Sequence, residues 1–168
     1  MDNYNIFKIF FLLILSFSCG RKEKPSPLIK IEDNIGSTSI SIEYSSPKVR
    51  ERKIWGELVP YNEIWRTGAN DATKIKINND VLINDSELKK GEYSLFTFPN
   101  QNKWIVIFNS VSNQWGSYDY DENMDVLRIE VIPVLSNNFF ENLTFKINND
   151  GLLFNWEYLS FNLSIKEL

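Results

Sequence analysis

Histidine is absent from all 168 residues, and cysteine occurs once. Without imidazole there is no Ser/His/Asp triad, no Cys/His dyad and no His-ligated zinc or iron site. A lone thiol closes neither an intramolecular disulfide nor a cysteine metal cage. Positive charge is not in excess either: 18 Lys and Arg stand against 22 Asp and Glu, for a formal net charge of -4. The basic footprint of a nucleic-acid binder is therefore missing, and no nucleic acid is expected as a partner. Long apolar runs are also lacking. The longest, residues 6–17 (IFKIFFLLILSF), falls short of the roughly 20 residues that span a bilayer. A chain of this length can still bury roughly two thirds of its unfolded surface, enough for one core without disulfides or metal. No cofactor, metal ligand or catalytic residue is assigned from the sequence.

What is present begins with an export signal. The 6–17 run has the length of a signal-peptide core, so residues 1–18 are expected to be removed. The single Cys closes the segment LSFSCG, Leu15 to Gly20, which resembles a bacterial lipobox. Ser18 supplies the small residue before the cleavage point, whereas Ser16 stands where such motifs usually carry Leu. The expectation is an exported lipoprotein of the cell envelope with Cys19 as lipid attachment site and the membrane as partner. Residues 20–28, GRKEKPSPL, are charged and carry proline without an apolar period. The expected division is therefore a signal over 1–18, a tether over 19–28 and one domain over 29–168.

The domain reads as all-β. Ile40, Ile42 and Tyr44 alternate with Ser39, Ser41 and Glu43, and Leu127, Ile129 and Val131 alternate with polar neighbours. Residues 73–77, 142–147 and 161–166 do the same, while 93–98 and 104–108 are apolar on both faces and read as central strands. NND at 78–80, KKG at 89–91, PNQN at 99–102 and NNDG at 148–151 punctuate them as turns. This spacing predicts a single antiparallel β-sandwich or partly closed barrel. The one segment read as a helical turn is PYNEIW, Pro60 to Trp65, with proline at its start.

Residues 45–70, SSPKVRERKIWGELVPYNEIWRTGAN, break the alternation and form a long structured loop, the kind of segment that carries function on a rigid sheet. With KKGEYSLFTFP (89–99), KWIVIFN (103–109) and QWGSYDYDENMDVLRIEV (114–131), the loop resembles a bacterial family of exported β-rich proteins catalogued as a domain of unknown function. The resemblance runs from about Ile40 to Ile165 and is strongest at WRTGAN, Trp65 to Asn70. It implies an exported β domain and no reaction. Glu51 departs from it, standing where the family has Gly before Arg52.

Two groups of candidate ligand-binding residues follow from the residue types. Lys48, Arg50, Arg52 and Arg66 lie in the loop beside Tyr61, Trp65 and Asn70, and guanidinium forks match carboxylates, phosphates and sulfates. The other group is Gln114, Trp115 and Tyr118 around Gly116, an amide and aromatic set suited to sugar rings. Each has a structural alternative: the arginines could pair with Glu57, Glu63, Asp71 or Asp125 to staple the loop, and the tryptophans could fill the core.

Two further patterns carry less. Asp119, Asp121, Asn123, Asp125 and Glu130 follow a calcium-loop spacing, but Met124 occupies the position where the sharp turn needs glycine, and the segment runs into a strand. Glu57 with Asp119, or Ser45 with Lys48, would be needed for carboxylate or serine chemistry, and the sequence places neither pair together. The expected function is a binding module for an anionic or carbohydrate ligand. The alternatives are an interaction or assembly module for another envelope protein and a carboxylate-dependent hydrolase.

Overall fold

A computed structural model describes residues 25–168; the expected signal, the Cys19 lipidation site and most of the tether lie outside the described residues. Ten strands form two antiparallel sheets packed face to face. The larger contains β1 (Leu28–Ile35), β2 (Thr38–Ser45), β3 (Ala69–Ile77), β6 (Gly91–Phe98), β7 (Trp104–Asn109) and β8 (Asp125–Val131), in the order β1-β2-β3-β6-β7-β8. The smaller contains β4 (Val81–Ile83), β5 (Ser86–Leu88), β9 (Val134–Asn148) and β10 (Gly151–Glu167), in the order β5-β4-β10-β9. The architecture is a sandwich and does not close into a barrel, since the two sheets keep separate edges. β1 begins on Leu28, the last residue of the expected tether.

The period-two pattern sets which face each strand buries. In β2, Ile40, Ile42 and Tyr44 are buried while Ser39, Ser41 and Glu43 are half-exposed, because successive side chains leave a strand on opposite faces. Register then stacks like on like: Ile42 pairs with Ile75, and Ile75 with Tyr93. β6 and β7 are buried on both faces, as their sequences predict. One face meets the other sheet. The other carries a small cluster of Ala72, Phe96 and Ile107 covered by Ile64, Phe98, Ile105 and Tyr120.

Four tryptophans occupy the main core. Trp55 lies 4.7 Å from Trp104 and 5.6 Å from Trp156 by ring centroids, and Trp65 stacks on Trp156. The structural alternative for these rings therefore holds for Trp55 and Trp65. β10 bends sharply at Glu157, whose φ is 55°, with shifts of register against β9 on either side. The bend brings the Ile165 N–H back to 3.4 Å from the Asp150 carbonyl. At the same place, a Cβ on Gly151 (φ 134°) would lie 1.9 Å from the Leu163 carbonyl oxygen, so only glycine fits.

The loop between β2 and β3 ties the two sheets together. Val49 N–H donates to the Glu141 carbonyl and Leu143 N–H to the Pro47 carbonyl, so residues 47–49 line the edge of β9. Ser46, itself buried, adds a 2.7 Å bond to the Leu143 carbonyl. The chain then returns to the larger sheet, where Trp65 exchanges two backbone bonds with Thr97. The expected helical turn over Pro60 to Trp65 does not form. Asn62 adopts a left-handed φ of 61°, its N–H goes to the Pro99 carbonyl, and Trp65 joins Thr97 in a β-bridge. Tertiary backbone bonds replace the local ones that a helix would have used.

Candidate functional site

Where the loop re-enters the sheet it leaves a cleft of about 180 Å³ lined by Ser26, Pro47, Arg52, Leu58, Val59, Trp65, Arg66, Gly68, Ala69 and Trp156. Two of the sequence-predicted arginines meet here, with the edge of the tryptophan pair as wall. Trp65 is held in place by its indole N–H, which donates to the Gly68 carbonyl at 3.2 Å. Arg66 follows it, and its carbonyl accepts the Thr73 N–H, fixing the residue across from β3.

The two guanidiniums differ in what they are free to do. Arg52 uses Nε on the Val49 carbonyl at 3.1 Å and Nη2 on the Lys48 carbonyl at 2.5 Å, so part of its fork closes its own loop. Arg66 is half-buried, and its side chain makes no hydrogen bond or ion pair among the described residues; its Nε is withdrawn from solvent. Trp156, on the same wall, also keeps its indole N–H buried without a partner among the described residues. A buried donor left unmade costs about 1–3 kcal/mol, and two residues of the cleft lining carry one.

The carboxylates named as structural partners are not engaged with the arginines. Glu57 pairs with Lys53 at 3.0 Å, and Asp125 pairs with Arg128 at 2.7 Å. Among the described residues no ion pair reaches Arg50, Arg52 or Arg66, and no carboxylate lines the cleft. The loop is stapled by backbone bonds, which removes the structural role these arginines could have had in charge pairs.

The remaining members of the first group lie around the cleft without lining it. Arg50 is exposed, with a left-handed φ of 49°, and its N–H donates to Glu141 Oε1 at 3.0 Å. Lys48 is half-buried and bridges to Asn142 through its backbone. Tyr61 packs on the core, its ring edge against Gly56. Asn70 donates from Nδ2 to Ser45 Oγ and offers its carbonyl to the Gly116 N–H.

That last bond joins the second group to the first. Asp71 and Trp115 form a β-bridge, and the Gln114 carbonyl accepts the Ala72 N–H, so residues 114–116 are laced to the start of β3. Gln114 is buried; its Nε2 donates to Asn109 Oδ1 and the Val111 carbonyl, which leaves Oε1 as an orphan acceptor. Trp115 is 60% exposed and Tyr118 81% exposed. The reading of Trp115 as a core residue is therefore overturned: the turn at Gly116 (φ 67°) lifts the ring out of the sheet. A second, shallower hollow of about 260 Å³ lies here, lined by Asp71, Lys74, Asn113, Gln114 and Trp115.

The acidic segment after it is structural. Asp121 caps a single 3-10 turn, Glu122–Met124, by accepting the Asn123 N–H. Asp125 accepts from Tyr120, Arg128 and Asn109. Burial, and then the bond to Asp125, push the Tyr120 hydroxyl well above its ordinary pKa, so it stays a donor. Sequence reasoning missed Trp156, Leu58 and Ser26 as cleft residues. Trp156 sits in an alternating strand, where an indole reads as core, and nothing local marks its contact with the loop.

A family model described as "Protein of unknown function (DUF2911)" matches residues 26–165, which takes in the cleft, the exposed aromatic turn and nearly all of both sheets. No curated protein and no solved structure matches the chain.

Proposed function

The chain belongs to the DUF2911 family of proteins of unknown function, and from its arginine cleft we propose that it is a binding module for an anionic ligand, carried on a cell-envelope lipoprotein anchored through Cys19. The observation that carries the reading is Arg66: a half-buried guanidinium that, among the described residues, has no hydrogen bond or ion pair, in a cleft lined by a second arginine and no carboxylate. Planar forks of this kind are matched by carboxylate, phosphate or sulfate oxygens, and a charge-assisted bond in a partly dry cleft is about twice as strong as a neutral one. The anchor rests on the sequence around Cys19.

Titration calorimetry of the purified protein with sodium sulfate and with sodium glucuronate tests the reading. Saturable binding that weakens with added salt and disappears in Arg66→Ala is the expected result. Heats that do not saturate, or an unchanged isotherm in Arg66→Ala, would sink it. A hydrolase receives no support from this cleft, which offers no carboxylate pair for acid and base.

A second reading, docking of another envelope protein, is favoured by one observation. β9 is an edge strand, and its first part exposes Val134, Leu135 and Phe139 with no charged residue from Val134 to Phe140. Uncharged exposed edges accept added strands. Cross-linking in cells that is lost in Leu135→Lys would support it, and an unchanged cross-linking pattern would remove it.

A further inference from the structure

We infer that the ligand is a short acidic saccharide, whose anionic terminal sugar enters the arginine cleft and whose next, neutral sugar lies on the exposed Trp115 and Tyr118 turn. The inference rests on the cleft reading above and goes further by naming the ligand class.

The first argument is size. A volume of about 180 Å³ holds about six waters at roughly 30 Å³ each, below the roughly 300–1,000 Å³ of pockets that enclose a whole drug-sized ligand. The cleft therefore takes one charged head group, and anything attached to it must continue outside. The second argument is direction. Arg66 lines the cleft, yet its Nη1 lies only 3.9 Å from where a Cβ on Gly116 would stand. The guanidinium thus reaches from the cleft to the turn that carries Trp115 and Tyr118. Gly116 leaves the passage open, since a side chain there would also press within 3.0 Å of the Tyr118 ring.

The third argument is chemistry. An indole that is 60% exposed and a phenol that is 81% exposed, one residue to either side of Gly116 and Ser117, present apolar faces with polar edges, the surface that a sugar's C–H face covers. Around Trp115 stand the Asp71 carboxylate, the Lys74 ammonium, the Asn113 amide and the Gln114 side chain. Together these supply both donors and acceptors, as sugar hydroxyls require. The opposite charges of Asp71 and Lys74 offset one another, so this hollow does not select a second anion: the sugar on the turn is neutral while the one in the cleft is acidic.

The test is titration calorimetry of the full-length protein in detergent with glucuronate, with aldobiouronic and aldotriouronic acids (one glucuronate followed by one or two neutral sugars), and with cellobiose. An acidic oligosaccharide is expected to bind at least about tenfold tighter than glucuronate, equivalent to about 1.4 kcal/mol, and cellobiose not to bind. Trp115→Ala should bring the oligosaccharides down to the affinity the parent has for glucuronate; Tyr118→Ala repeats the test at a side chain with even less packing to lose. If glucuronate binds through Arg66 but added sugars contribute nothing, the cleft reading stands and the saccharide inference falls. The inference also falls if cellobiose binds as well as the acidic sugars. If neither glucuronate nor sulfate binds, the cleft reading itself fails and takes the inference with it.

Discussion

Trp65 stacks on Trp156 with ring centroids 5.7 Å apart and planes 17° from parallel, so the loop between β2 and β3 is held to β10 by a face-to-face indole pair. The loop's arginines inherit their position from that contact. Trp156 is almost fully buried and also touches Trp55.

Trp156→Ala should cost about 3–5 kcal/mol, the range for emptying a large aromatic site in a packed core. Trp115→Ala, at an exposed ring, should stay within about 0.5 kcal/mol of the parent. Urea unfolding of the two variants side by side checks the contrast. Equal losses would mean that the tryptophan core does not carry the loop.

Arg66→Ala should leave the melting temperature within about 2–4 °C of the parent, the shift that corresponds to about 1 kcal/mol in a domain of this size. Among the described residues the side chain satisfies no partner, and removing its buried Nε relieves an unmade bond. A loss of ten degrees in differential scanning calorimetry would show that the guanidinium is structural.

Glu167 ends β10 and crosses to the β1–β2 turn, where its Oε1 accepts from the Ser37 N–H at 2.7 Å, the Ser37 hydroxyl at 2.6 Å and the Thr38 hydroxyl at 3.1 Å. The Ser37 hydroxyl first, then its N–H and the Thr38 hydroxyl, hold the carboxyl below its ordinary pKa. A carboxylate with a depressed folded pKa adds stability above its unfolded value, about 4.3, and loses it as pH falls through the folded one. The stability gap between the parent and Glu167→Gln should therefore be open at pH 6–7 and narrow steadily below about pH 4. A gap that is constant into acid would refute the linkage.

Cys19→Ala should abolish incorporation of labelled palmitate and release the protein from the membrane fraction. Retention of label in the variant would move the anchor elsewhere.

Much of this was legible in the chain because a strand reports its own environment. The alternation around Ile40 to Tyr44, the doubly apolar runs at 93–98 and 104–108, and the turn residues between them depend on the pleat and on backbone angles, which are local. The resemblance to a family of unknown function was likewise read from contiguous blocks such as WRTGAN, and the family match covers residues 26–165. The expected helical turn at Pro60 to Trp65 failed for the complementary reason: six residues with proline in front satisfy a helix start, but the Pro99 and Thr97 carbonyls that took their N–H groups are far along the sequence.

The residue types alone therefore determined an all-β domain without His or disulfide chemistry, and they identified the arginines and the Trp115 turn as the places to look. Only the tertiary structure decided what each does. Whether Arg66 meets a carboxylate, whether Trp115 is core or surface, and whether Trp156 belongs to a wall depend on which strands lie beside the loop. Pairing between residues far apart in sequence sets that arrangement, and a side chain's partners are a property of the space it enters, which no local pattern encodes.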